Sequence, residues 1–202
     1  HNSNLVYSVP AMASTVHGEV FKDYWFERVY GETTQKLYNE GYIYVHNTSI
    51  LGPYCSGYSA RDLALLGLNS NAPNSVATKP PKHINSLLGQ CANFITLISQ
   101  EIHGACAIND ITTVVASYLY IHEEFFGNSV SYIDLKNYWQ TFIFNINVPF
   151  RGGNSAFSNI TLSLDGPDEA VADEPIVYGG QYTLKDHVLR LNENINVKLE
   201  ND

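Results

Sequence analysis

Apolar residues spaced three and four apart run through most of this chain, and only short, isolated β-branched stretches interrupt them. That alternation constrains the fold more than any single motif. From Ala11 to Tyr30, the residues Val16, Val20, Phe21, Tyr24, Trp25 and Val29 keep helical spacing and predict one buried stripe, with Pro10 suited to the first turn. A second, shorter helix is expected from about Thr33 to Asn39, stopped by Gly41. Ser59 followed by Asp62 and the Leu63 to Leu68 run predicts an N-capped helix closed by Gly67 or Asn69. From His83 to Ile102 the pattern is nearly apolar all round, which predicts a helix buried in the body or against a second subunit. The spacing repeats from Ile111 to Phe126 and from Asp134 to Asn145, and Leu184 to Leu199 is also helix-like.

Strands are few. Tyr42 to His46 is β-branched and aromatic, Ile160 to Leu164 alternates, and Ile176 to Tyr178 precedes a Gly179-Gly180 turn. Pro73, Pro80 and Pro81 make the stretch from Asn69 to Lys82 a loop, and Asp168 to Asp173 an acidic surface segment. The expected class is α/β, a single helix-rich domain over 1–202 with too few strands to close a sheet or barrel by itself. A start at His1 and a last segment without a cap lead us to expect a piece of a longer or split protein.

Composition excludes several functions. With 202 residues, 45% of them hydrophobic, the chain has enough apolar surface to fold. Its 11 basic residues against 20 acidic ones, a net charge of -9, argue against gripping a nucleic-acid polymer. No run of 18 apolar residues predicts a membrane span, and no signal peptide is visible, so a cytoplasmic location is expected. The sequons at Asn47 and Asn159 are then chance matches. Three cysteines without C-x-x-C spacing write neither a local metal site nor a redox pair.

Cys55, expected between a strand and a helix, fits an activated thiol, although spacing alone favours a small buried hydrophobe. Cys91 falls on an apolar helical stripe and is expected in the core, and Cys106 is expected to fill a tight helix-to-loop contact. His46 is the histidine closest in sequence to Cys55, yet no third orienting group accompanies the pair. His17, His83, His103, His122 and His187 lack metal-ligand spacing. Arg151 in a glycine-rich run is a cation within reach of a phosphate, although the run matches no phosphate-binding fingerprint.

The order of several motifs is more specific than any one of them. Asn2-Ser3-Asn4 with Tyr7-Ser8, the run from Tyr42 to Asn47, Pro53 to Tyr58, Lys79 to His83, Gly104 to Ala107, and Asn145 to Pro149 with Phe157 to Thr161 follow one another. This series resembles the anaerobic (class III) ribonucleoside-triphosphate reductases over nearly the whole chain. The resemblance implies a helix-rich partial barrel, part of the ten-stranded α/β barrel of the glycyl-radical enzymes. It implies reduction of ribonucleoside triphosphates, with Cys55 as the reducing cysteine of the first barrel strand and His46 and Asn159 as residues lining the substrate.

Departures from the family pattern are visible. The family's H-x-H-D strand reads Tyr44-Val45-His46-Asn47 here, and its Gln-Thr-Pro-Phe step reads Asn154-Ser155-Ala156-Phe157. No segment resembles the radical glycine, the finger-loop cysteine, the four-cysteine zinc site or the ATP cone. No cofactor is therefore expected in this chain. The resemblance implies that the complete enzyme uses a glycyl radical made by an S-adenosylmethionine/iron-sulfur activating enzyme, together with structural zinc. Its implied partners are dNTP and ATP effectors, the remainder of the reductase, the activating enzyme and a second copy in a homodimer. The chain alone is expected to be inactive. The alternative is a non-catalytic nucleotide-binding or subunit-interaction module of the same ancestry, and a formate-lyase-like radical barrel is a more distant one.

Overall fold

A computed structural model describes residues 7–48, 51–68, 77–149, 154–162 and 174–182. The predicted segments at Asn2 to Asn4, Arg151, Asp168 to Asp173, His187 and 184–199 lie outside the described residues. The chain divides into two compact units, each taken by itself below.

The first unit holds 1–56, 97–106 and 147–157. Its main helix, α1 (Val9–Tyr24), starts on Ser8, whose hydroxyl accepts the Ala11 N–H at 3.2 Å, with Pro10 in the first turn. It continues into one wider turn, Trp25–Val29, where the Tyr30 N–H reaches back to the Trp25 carbonyl. Helix α2 (Glu32–Asn39) follows, and Phe26 packs on Tyr38 with ring centroids 4.3 Å apart. The Trp25 indole N–H donates to the Thr48 carbonyl at 3.0 Å, tying the segment before the site to the wider turn after α1.

Two expectations fail in this unit. The stripe on α1 is not buried: Val16 is 58% and Val20 66% exposed, and the residues that are buried are Ala11 and Gly18. Periodicity marks an apolar face but cannot supply what covers it. Tyr42 to His46 is not a strand, because no neighbouring strand pairs with it among the described residues; it runs as an irregular and mostly exposed segment. β-branched and aromatic content favours a strand only where a partner and a packed face exist.

The second unit holds 57–96, 107–146 and 158–202. A sheet of three strands, β1 (Ser56–Ser59), β2 (Cys106–Asn109) and β3 (Ser158–Ile160), lies in that order. Hydrogen bonds advance along neighbouring strands in one direction, from Cys106 N–H to the Phe157 carbonyl and then from Thr161 N–H to the Ile108 carbonyl, as in a parallel ladder. β1 runs directly into α3 (Ala60–Leu66), and β2 runs through Asp110 into α5 (Ile111–Phe126). β2 corrects the expected helix-to-loop contact at Cys106. Its four residues are too short a run to stand out, but they pair on both sides and bury Cys106 and Ile108.

Helix α4 (Ile84–Ile98) is shorter than expected and is one-sided rather than apolar all round. Ile84, Leu87, Leu88, Cys91, Ala92 and Ile95 are buried, whereas Asn85, Ser86 and Asn93 face solvent. Each fully buried Leu or Ile contributes about 1.5–3 kcal/mol relative to an exposed one. Helix α6 (Tyr132–Ile146) is capped by Ser131, which accepts the Asp134 N–H and donates to the Asp134 carboxylate. The strand expected over Ile160 to Leu164 overlaps the observed β3 only at Ile160; 161–162 are not strand, and 163–164 lie outside the described residues.

A hairpin of β4 (Val177–Tyr178) and β5 (Gln181–Tyr182) turns on Gly179 and Gly180, with φ of +56° and +90°. Two successive positive φ angles match the right-handed twist of a two-residue hairpin, which is why glycine occupies both places. This hairpin and α5 together hold the Pro80-Pro81-Lys82 loop. Tyr118 Oη donates to the Pro81 carbonyl at 2.8 Å, and Tyr178 Oη and His122 Nε2 both address the Lys82 carbonyl at 2.9 Å. Because a carbonyl only accepts, the His122 proton sits on Nε2. No helix among the described residues is long and apolar enough to cross a membrane.

Candidate active site

Cys55 stands immediately before β1, not between a strand and a helix as the sequence suggested. Its side chain is exposed, while Cys91 and Cys106 are buried and all three thiols are free. Burial pushes the Cys91 thiol up to about 12 and the Cys106 thiol up to about 11, so both stay protonated and inert near neutral pH. Cys55 is the thiol that solvent and a ligand can reach.

The segment 103–105 lies along 53–56 and places the sulfur. His103 N–H donates to the Pro53 carbonyl and Gly104 N–H to the Tyr54 carbonyl, and Ser56 N–H donates to the Ala105 carbonyl at 3.0 Å. Between these backbone bonds, the Ala105 N–H turns to Cys55 Sγ at 3.2 Å. A donor on a sulfur lone pair directs the thiol hydrogen away from itself.

His46 is exposed and packs edge-on against the Tyr54 ring, with centroids 4.2 Å apart; Tyr44 lies 6.2 Å beyond. Cys55 and His46 are thus linked through Tyr54, the residue preceding the cysteine. Asn159 is exposed at the middle of β3 in the second unit; two residues on, just past the strand, the Thr161 hydroxyl donates to the Asn109 side chain at 2.9 Å.

Sequence reasoning gave Tyr54, Gly104 and Ala105 no role of their own. The signal was a Gly-Ala pair just ahead of a strand, where a bare backbone lets another chain segment come close. It also passed over Asp110, which is 8% exposed and non-glycine at φ +61°. Ser59 Oγ accepts the Arg61 N–H as the α3 cap and donates to Asp110 Oδ2 at 3.0 Å, so one hydroxyl joins the ends of β1 and β2.

Among the described residues no group of three His, Cys, Asp or Glu side chains could hold a metal ion.

A family model for anaerobic ribonucleoside-triphosphate reductase matches residues 1–196. No curated protein matches the chain. Among solved structures, the anaerobic ribonucleotide reductase from Thermotoga maritima in complex with dATP and CTP is similar with a TM-score of 0.56 and 17% identity, over 75% of this chain and 26% of that chain. The same enzyme with dATP bound in the specificity site is similar with a TM-score of 0.54 and 18% identity, over 75% of this chain and 27% of that one. At such identity the likeness establishes the fold, a mixed α/β arrangement with a small parallel sheet. The chain spans about a quarter of the length of these solved relatives.

Proposed function

This chain belongs to the anaerobic ribonucleoside-triphosphate reductase family, and from that premise we propose that it takes part in reducing ribonucleoside triphosphates to deoxyribonucleoside triphosphates, with Cys55 as its reducing thiol. The observation that carries this reading is the exposed Cys55 sulfur, held by the Ala105 N–H at the entrance to a strand of the parallel sheet. The complete enzyme's glycyl radical, made by an S-adenosylmethionine/iron-sulfur activating enzyme, supplies the oxidising equivalent.

In this reading a ribose that has lost a hydrogen atom and its 2'-hydroxyl, the latter as water, is left as a carbon radical beside Cys55. The Cys55 S–H gives that carbon a hydrogen atom, forming a C–H bond and leaving a sulfur radical. The second electron comes from a co-reductant: formate gives its hydrogen to the sulfur radical and its carbon dioxide radical anion passes an electron to the remaining sugar carbonyl, or a second thiol bonds to that sulfur and the disulfide radical anion passes the electron, leaving carbon dioxide or a disulfide. A proton and the return of the hydrogen atom first removed complete the two-electron reduction. The weak S–H bond makes sulfur suited to the step, and the Ala105 N–H leaves the thiol hydrogen facing the open side. His46, propped by Tyr54, and Asn159 on β3 line the substrate.

The remaining elements of the reading concern the larger assembly. The sheet belongs to a ten-stranded barrel completed by the rest of the reductase, which works as a homodimer under dNTP and ATP control. A similar fold that carries dATP in a specificity site supports nucleotide effectors. With the 202 residues assembled with the rest of an anaerobic reductase, Cys55→Ala abolishes deoxyribonucleotide formation while the glycyl radical remains visible by electron paramagnetic resonance. Turnover retained by that variant removes Cys55 from the chemistry. The chain by itself forms no deoxyribonucleotide, and measurable product from it contradicts this part of the reading.

A second reading, a non-catalytic subunit-interaction module, is favoured by one observation: the exposed apolar face of α1. It predicts assembly that is unaffected by Cys55→Ala and no dependence of turnover on Cys55.

A further inference from the structure

We infer that Gly104 is a positioning residue for the candidate site: its missing side chain is the space into which the Cys55 sulfur and the Tyr54 ring both fit. The role of the sulfur in reduction rests on the proposed function above, whereas its placement is a property of this chain alone.

Three consecutive amides, those of His103, Gly104 and Ala105, address residues 53, 54 and 55 in turn, the first two at carbonyls and the third at the sulfur. Such close approach needs a bare α-carbon at the middle position. A Cβ on Gly104 would lie 2.6 Å from the Tyr54 carbonyl oxygen, 2.7 Å from Cys55 Sγ and 2.9 Å from Tyr54 Cε1. All three are shorter than real Cβ contacts, and the first involves backbone that cannot step aside cheaply. The sulfur can leave only by rotating about χ1, which breaks its bond with the Ala105 N–H. The Tyr54 ring can leave only by giving up its edge-on contact with His46. One added carbon at 104 therefore displaces the sulfur and the prop of His46 together. Gly89, by contrast, has nothing within 4 Å of a Cβ and serves as a control for replacing a glycine.

The test uses the 202-residue chain labelled with nitrogen-15, as wild type, Cys55→Ala, Gly104→Ala, the double variant and Gly89→Ala. The Ala105 amide proton is expected to move upfield in Cys55→Ala, because its sulfur acceptor is gone. In the Gly104→Ala background the same cysteine substitution leaves that resonance in place, because the bond is already lost. Thermal unfolding is expected to show a large loss of melting temperature in Gly104→Ala, a small rise in Gly89→Ala, where alanine is the better helix former, and partial recovery in the double variant, where one clashing atom has been removed. A purely backbone requirement for glycine would leave the two substitutions additive, and additivity overturns the inference. Should Gly104→Ala not fold, the comparison of wild type with Cys55→Ala decides: an unmoved Ala105 amide overturns the inference, and an upfield shift supports it. These readouts need no turnover, so a failure here is distinguishable from a failure of Cys55 in catalysis.

Discussion

The Ala105 N–H donates to Cys55 Sγ at 3.2 Å, joining residues 50 positions apart in sequence. That bond fixes the sulfur at the point where β1 begins, and the wider strand pairing fixes the bond. The other two cysteines lie where neither water nor a ligand reaches them. One protein thus keeps a presented thiol and two packed ones.

Native protein is expected to react with a thiol-specific reagent once per chain, at Cys55, and denatured protein three times, at Cys55, Cys91 and Cys106. Mass spectrometry after brief labelling identifies the sites. Rapid native labelling of Cys91 or Cys106 would contradict the burial of β2 and α4.

Alkaline stability follows from the two packed thiols. Burial raises Cys91 from 9.0 to about 12 and Cys106 from 9.0 to about 11, and it raises Tyr118 in the same sense. Above pH 9 the unfolded chain releases protons that the folded chain keeps, so the unfolded state binds fewer protons and stability falls as pH rises. The contribution is fully present below the unfolded value and is lost toward the folded values. Melting temperature is expected to decline from pH 9 upward, with a shallower decline in Cys91→Ala. An unchanged slope in that variant would rule out Cys91 as a contributor.

The loop before α4 provides an ordered pair of stability tests. Tyr118→Phe removes the hydroxyl that donates to the Pro81 carbonyl and accepts the Gly179 N–H, leaving two groups unpaired, and costs about 1–3 kcal/mol. Tyr178→Phe leaves the Lys82 carbonyl still paired with His122 Nε2, so its cost is smaller, about 1 kcal/mol. Urea unfolding measures both, and the reverse order would show that the shared carbonyl is not compensated.

Val9, Met12, Val16, Val20 and Tyr24 form an exposed apolar seam along α1. A contiguous patch of that kind promotes association. Wild-type chain is expected to self-associate with rising concentration, and Val16→Lys with Val20→Lys to reduce this without lowering the melting temperature. Sedimentation velocity measures the effect; an unchanged distribution would clear the seam of any part in association.

The elements readable in advance are those whose cause is local. Helix α5 begins and ends where the Ile111 to Phe126 spacing puts it, Ser59 caps α3, and the Gly179-Gly180 pair turns a hairpin. The failures are all cases in which another part of the chain decides. Tyr42 to His46 has strand composition but no paired neighbour, and Cys106 to Asn109 has a neighbour on each side but hardly any composition signal. The α1 stripe has the right spacing without a cover. Cys55 and His46 could be picked out by type and order, but the bond from Ala105 and the bridging ring of Tyr54 depend on contacts between distant segments.

The left-handed backbone of Asp110 narrows what mutation can do at the step from β2 into α5. Glycine would keep the bend and abandon the Ser59 hydroxyl, while asparagine would keep both the bend and an oxygen for it. Most other replacements would strain the step by about 1–2 kcal/mol. Over evolutionary drift this junction should alternate between aspartate and asparagine while the helix surface beyond it changes freely.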